Sequence, residues 1–106
     1  MKRNINIGLC GFGAMGKVHS FAVNNLDFYY KELPFSASVR GLCTTNIERS
    51  KDIAKTYGFS YAAMDEDELL ADETIDVIDI CTPNIYHFET IKKAIAVGKH
   101  SNLCKP

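Results

Sequence analysis

Apolar and polar positions along this chain follow two rhythms that take turns. Ile5, Ile7 and Leu9 fall at every second position, a half-buried strand pattern over residues 5–10. Gly11-Phe12-Gly13-Ala14-Met15-Gly16 follows at once and opens a stretch of helical spacing, with Val18, Phe21, Ala22, Leu26 and Tyr29 as its apolar stripe over about 14–29. Leu33-Pro34-Phe35 interrupts it, and residues 38–43 read as a second strand. Asn46 is placed to cap a second helix that turns Ile53, Ala54 and Tyr57 inward and stops at Gly58. A brief strand at 60–62 precedes Asp65 and Glu68, whose spacing is that of a capping box before Leu69 and Leu70. Residues 75–81 are nearly all apolar, which predicts a central strand buried on both faces. Asn84 can cap a last helix with Phe88, Ile91 and Ile95 inward and Gly98 as its stop, before a fifth strand at 100–104.

Strand and helix alternate throughout, so the units are parallel βαβ crossovers of right hand. The fold class is therefore α/β, a doubly wound parallel sheet of order 3-2-1-4-5, one domain over residues 1–106. There is no internal repeat, linker or low-complexity segment.

Composition narrows the partners. A net charge of -1 with 24% charged residues leaves no basic stripe for nucleic acid, and 46% hydrophobic content excludes a disordered chain. No apolar run reaches membrane-spanning length, and Met1-Lys2-Arg3-Asn4 leads into a strand without a signal-peptide core, so a cytoplasmic protein is expected. Cys10, Cys43, Cys81 and Cys104 form no CxxC pair, and no metal is expected. Each stands at or beside the end of a predicted strand, so they are expected to gather along one rim as free thiols.

The chemistry-bearing motif is the glycine loop. A GxGxxG between a strand and a helix is a dinucleotide fingerprint: Gly11 permits the tight turn, Gly13 lets a pyrophosphate approach the backbone, and Gly16 lets helix and strand pack closely. The helix N-terminus then offers unpaired N–H groups to the phosphates. An NAD site usually places a carboxylate about 20 residues further on, at the tip of strand two, to hold the ribose hydroxyls. Here the tip reads Cys43-Thr44-Thr45-Asn46, without a carboxylate, and Arg49 follows one turn later. Hydroxyls and a guanidinium suit a 2′-phosphate, so NADP is expected, with NAD as the alternative; Arg49 is otherwise a solvated helix residue. Asp79, inside an apolar strand, requires a hydrogen-bond partner that the sequence does not name. His19 reads as a helix-face residue near the loop.

Three ordered segments carry a resemblance: Gly11-Phe12-Gly13-Ala14-Met15-Gly16-Lys17-Val18-His19, then Cys81-Thr82-Pro83-Asn84-Ile85-Tyr86-His87, then Gly98-Lys99-His100 with Lys105-Pro106. Over residues 5–106 the chain resembles the Gfo/Idh/MocA family of glucose–fructose oxidoreductases and inositol dehydrogenases. The resemblance implies an N-terminal dinucleotide-binding domain followed by a second α/β domain, outside these residues, that holds a sugar, polyol or related substrate and makes the contacts of a homo-oligomer. It implies that Gly11, Phe12, Gly13, Ala14 and Met15 face the pyrophosphate. Thr44, Thr45 and Arg49 would face the adenosine ribose. Thr82, Pro83, Asn84 and His87 would lie along the nicotinamide ribose, and Cys81 and Cys104 count among the cofactor-binding positions.

Lys105 matches the lysine of the family's Glu-Lys-Pro signature and would take part in proton transfer at the substrate, with Cys104 standing where Glu is usual. From the residues alone Lys105 is a lysine at the end of a predicted strand, extended by the proline after it. The implied activity is hydride transfer between NAD(P) and a secondary alcohol or ketone, with these 106 residues inactive by themselves. The alternative is a non-catalytic NAD(P)-binding sensor, for which Cys104 speaks.

Overall fold

A computed structural model describes residues 3–26, 34–81 and 87–103, with side chains at 4–26, 34–81 and 91–99. Nine elements follow one another: β1 (Arg3–Cys10), α1 (Ala14–Asn24), β2 (Phe35–Cys43), α2 (Ile47–Tyr57), β3 (Tyr61–Ala62), α3 (Glu66–Ala71), β4 (Val77–Ile80), α4 (His87–Ala96) and β5 (His100–Leu103). The strands form one sheet in the order β3-β2-β1-β4-β5, and every pair is parallel. This is the expected doubly wound architecture. β2 starts earlier than its hydrophobic rhythm suggests and β4 is shorter, because pairing with β1 rather than side-chain character decides where a strand begins.

The sheet sorts its side chains by the alternation of strand residues. Leu9, Val39 and Leu42 face α1 and α2, where they meet Phe12, Ile53, Ala54 and Phe59. Cys10, Cys43, Ile78 and Ile80 face the other way, onto Leu69, Leu70 and Ala94 of α3 and α4. Asn46 caps α2 by accepting from the Arg49 N–H, and Gly58 ends it in the left-handed conformation, both as the sequence predicts. Asp65 accepts from the Glu68 N–H, while the Glu68 carboxylate reaches one residue further back than a capping box would, to the Met64 N–H.

Two faces come out differently from the sequence reading. The stripe Val18, Phe21 and Ala22 of α1 is exposed, and the helix turns Gly16, Ser20 and Val23 to the sheet instead. A Cβ on Gly16 would lie 2.8 Å from the Gly11 carbonyl oxygen, so the first turn of the helix sits too close to the glycine loop for a side chain there. α4 repeats the pattern: Ala94 is fully buried, Ile91 packs partly against the core and Ile95 is exposed. The predicted extension of α1 to Tyr29 falls partly outside the described residues; α1 itself ends at Asn24.

Candidate functional site: the carboxyl rim of the sheet

The ends of β2, β1 and β4 are stitched together at one rim. The Gly11 N–H donates to the Cys43 carbonyl and the Cys81 N–H to the Cys10 carbonyl, both at 2.8 Å. Gly11 turns the chain there at φ 89°, which only glycine adopts without strain. α1 then begins at Gly13, which supplies no side-chain cap, and its first turn contains no acidic residue. Its opening N–H groups therefore face the rim with a positive dipole end and nothing from the helix itself to answer them. A Cβ on Gly13 would meet nothing within 4 Å, so the space over the loop is open to an incoming group. This donor set fits a phosphate.

The expected site residues that the structure describes each have a definite place. Ala14 and Met15 are exposed on the rim. Phe12 offers only its backbone there: its ring is buried against Tyr57 and Phe59, with ring centroids 5.0 and 6.1 Å away. Thr44 does not present its hydroxyl outward. That hydroxyl donates to the Asn46 carbonyl at 2.9 Å and lies 2.7 Å from the buried Ser50 hydroxyl, so it shapes the turn into α2. Thr45 is exposed beside it. Arg49 reaches back across the rim and donates from its guanidinium to the Phe12 carbonyl at 2.8 Å. A residue 37 positions from the glycine loop thus becomes part of it. Thr82, Pro83, Asn84, Cys104 and Lys105 lie outside the described residues, and of His87 only its place at the start of α4 is described.

The described cysteines do not form a single group. Cys10 and Cys43 pair on neighbouring strands, buried beneath the loop. A hydrogen bond with Cys43, reinforced by burial, pushes the Cys10 thiol well above the ordinary thiol range, so it acts as packing rather than as a nucleophile. Cys81 points to the opposite face, 3.4 Å from Nδ1 of His19. The same nitrogen lies 2.6 Å from the Asp79 carboxylate. Sequence reasoning missed this trio, although the polar Asp79 in an apolar strand was its visible trace. None of the helices among the described residues is long and apolar enough to cross a membrane.

Comparison with known proteins agrees with this geometry. Residues 5–106 match an oxidoreductase family with an NAD-binding Rossmann fold. The chain is 34% identical over 104 residues to levoglucosan dehydrogenase of Pseudarthrobacter phenanthrenivorans, a match covering 98% of the chain and 27% of that protein. It is 32% identical over 96 residues to inositol 2-dehydrogenase of Rhizobium meliloti, covering 90% of the chain and 26% of that protein. Among solved structures, a levoglucosan dehydrogenase in complex with NADH and L-sorbose is similar with a TM-score of 0.91 at 33% identity, over 95% of this chain and 27% of that one. An NAD binding oxidoreductase from Klebsiella pneumoniae is similar with a TM-score of 0.91 at 35% identity, over 97% of this chain and 27% of that one. The chain thus spans about a quarter of the length of these relatives.

Proposed function

The chain belongs to this Gfo/Idh/MocA oxidoreductase family and is its NAD-binding Rossmann domain, and from that premise we propose that it serves an enzyme oxidising or reducing a sugar, polyol or related compound. The observation that carries the proposal is the uncapped N-terminus of α1 over an open glycine loop. When bound, the nicotinamide cofactor supplies or accepts the hydride. The chain's own residues bind and orient. The N–H groups at 13–16 hold the pyrophosphate, and Thr45 with Arg49 holds the adenosine ribose end. Thr82, Pro83, Asn84 and His87 line the nicotinamide ribose. Lys105 moves a proton at the substrate oxygen, and Cys104 leaves this ribose contact without the carboxylate usual in the family. The domain division follows: residues 1–106 hold the cofactor, and a further domain of the kind that the relatives' greater length accommodates holds the substrate and the oligomer contacts.

The finer cofactor choice is NADP over NAD. The tip of β2 has no carboxylate to repel a 2′-phosphate, and the Arg49 guanidinium is already drawn to the loop by the Phe12 carbonyl. Levoglucosan dehydrogenase, by contrast, has been solved with NADH. Calorimetric titration of the protein with each cofactor decides: NADP is expected to bind more tightly, and tighter NAD binding overturns the choice. Lys105→Ala in the complete enzyme is expected to lower kcat by at least about a hundredfold, the scale of general acid–base catalysis, with cofactor affinity unchanged. Unaltered turnover removes Lys105 from the proposal. Absence of any dehydrogenase activity in the complete protein, with cofactor binding intact, favours the sensor reading.

A further inference from the structure

We propose that His19, Asp79 and Cys81 form a binding site for one zinc-class divalent ion on the sheet face beneath α1. Asp79 and Cys81 are two residues apart on extended chain, so their side chains emerge on the same face, and α1 lays His19 over them. One ligand atom from each lies within 4.8 Å of the others. The separations are 2.6 Å from Nδ1 of His19 to Oδ2 of Asp79, 3.4 Å from Nδ1 to Sγ of Cys81, and 3.9 Å from Sγ to Oδ1 of Asp79.

These edges can be set against the ion. Bond lengths of about 2.0–2.3 Å from zinc to nitrogen, oxygen and sulfur in a tetrahedron put the ligand atoms roughly 3.3–3.6 Å apart. The sulfur–nitrogen edge already has that length. The sulfur stands 3.9 Å from Oδ1 of Asp79 while the histidine nitrogen stands 2.6 Å from Oδ2, so the carboxylate must turn to offer one oxygen to the ion. The nitrogen–oxygen edge must open by about 0.7 Å, as the ion replaces the proton shared there. Both changes call for rotation of side chains only.

Charge and donor type point the same way. A thiolate, a carboxylate and a neutral imidazole neutralise a divalent cation, so the complex carries no net charge where Asp79 is only 5% exposed. Sulfur and nitrogen donors select a borderline-soft ion over magnesium or calcium, which require oxygen. A cavity of about 210 Å³ bounded by Ile7, His19, Ala22, Val23, Val77 and Asp79 adjoins the trio and has room for a water as fourth ligand. The ion ties α1, whose N-terminus faces the phosphate seat, to the end of β4, from which the chain enters residues 82–87. No spacing motif announces the site, since its ligands come from positions 19, 79 and 81.

The full chain, stripped with a chelator and titrated with Co²⁺, tests this. One equivalent is expected to bind with a thiolate-to-cobalt absorption band in the near ultraviolet that Zn²⁺ abolishes. Cys81→Ser is expected to remove the band, and His19→Ala to weaken binding at least tenfold. No band in the unaltered protein, or a band that survives Cys81→Ser, overturns the site. Should that variant fail to fold, the unaltered protein still decides: Zn²⁺ is expected to slow alkylation of Cys81 at least tenfold, mapped by mass spectrometry, and an unchanged rate overturns the proposal.

Discussion

The N-termini of α1 and α3 are built in opposite ways. α3 begins at Asp65, which accepts from the Glu68 N–H, and carries Glu66, Asp67 and Glu68 in its first turn. Lys93 of α4 answers two of those charges, at 3.3 Å from Glu66 and 3.2 Å from Asp67. The far end of α3 is equally occupied. Asp72 receives the Tyr61 hydroxyl at 2.7 Å and the Thr74 N–H and hydroxyl at 2.9 and 2.6 Å, and the Lys99 ammonium donates to its carbonyl at 2.7 Å. α1 begins at a glycine with no cap and no acid. The protein therefore answers the dipole of α3 with its own side chains and gives that of α1 neither a cap nor an acid in its first turn. A helix end that gives up even about a few tenths of a kcal/mol of capping is a better marker of a site than the glycines alone.

The sharpest way to break this contrast is to give α1 the cap that α3 has. Gly13 sits at φ −85° and ψ −154°, and a Cβ there would meet nothing within 4 Å, so Gly13→Asp fits without strain. The carboxylate would occupy the phosphate seat and add like charge. Calorimetry is expected to show cofactor affinity down at least about a hundredfold while the melting temperature holds or rises. Retained affinity would mean that the loop is not the phosphate seat.

Arg49→Ala probes the other side of the same rim. It is expected to remove about ten- to hundredfold of NADP affinity, the worth of a hydrogen bond to a charged group, and to leave NAD binding nearly untouched. Equal loss for both cofactors would assign Arg49 to shaping the loop through the Phe12 carbonyl.

The closed region responds to acid instead of cofactor. Burial draws the Asp72 carboxyl upward, but hydrogen bonds from Thr74 and Tyr61 and the Arg40 charge outweigh it and hold it at about 2 instead of 3.8. A lowered folded-state value stabilises the fold above the unfolded value and is lost as pH falls towards the folded one. Asp72→Asn is expected to cost about 1–2 kcal/mol at neutral pH, discounted for its partly solvated side chain. Urea unfolding should show that difference fading between about pH 4 and pH 2. The smallest effect is that of Asp65→Ala, about 1 kcal/mol of stability from the lost cap with unchanged cofactor affinity. A change in affinity there would show that the two helix ends are coupled.

What the sequence determined by itself is what short-range chemistry controls. Asn46 and Asp65 bond to N–H groups three residues ahead, Gly11 turns where a strand meets a helix, and Gly58 stops a helix, all within a few residues of themselves. The order of the sheet follows from alternating strands and helices and the handedness of crossovers. Tertiary structure alone decided which stripe of α1 is buried. Hydrophobic spacing favoured Val18 and Phe21, but Gly16 and Ser20 are the buried positions, and the Gly11 carbonyl leaves no room for a Cβ at Gly16. It also drew Arg49 to Phe12 and engaged the Thr44 hydroxyl with Ser50. It divided the cysteines between two faces and brought His19 to Asp79, 60 positions away. These depend on distances between chain segments that parallel crossovers bring together, and no local pattern encodes them.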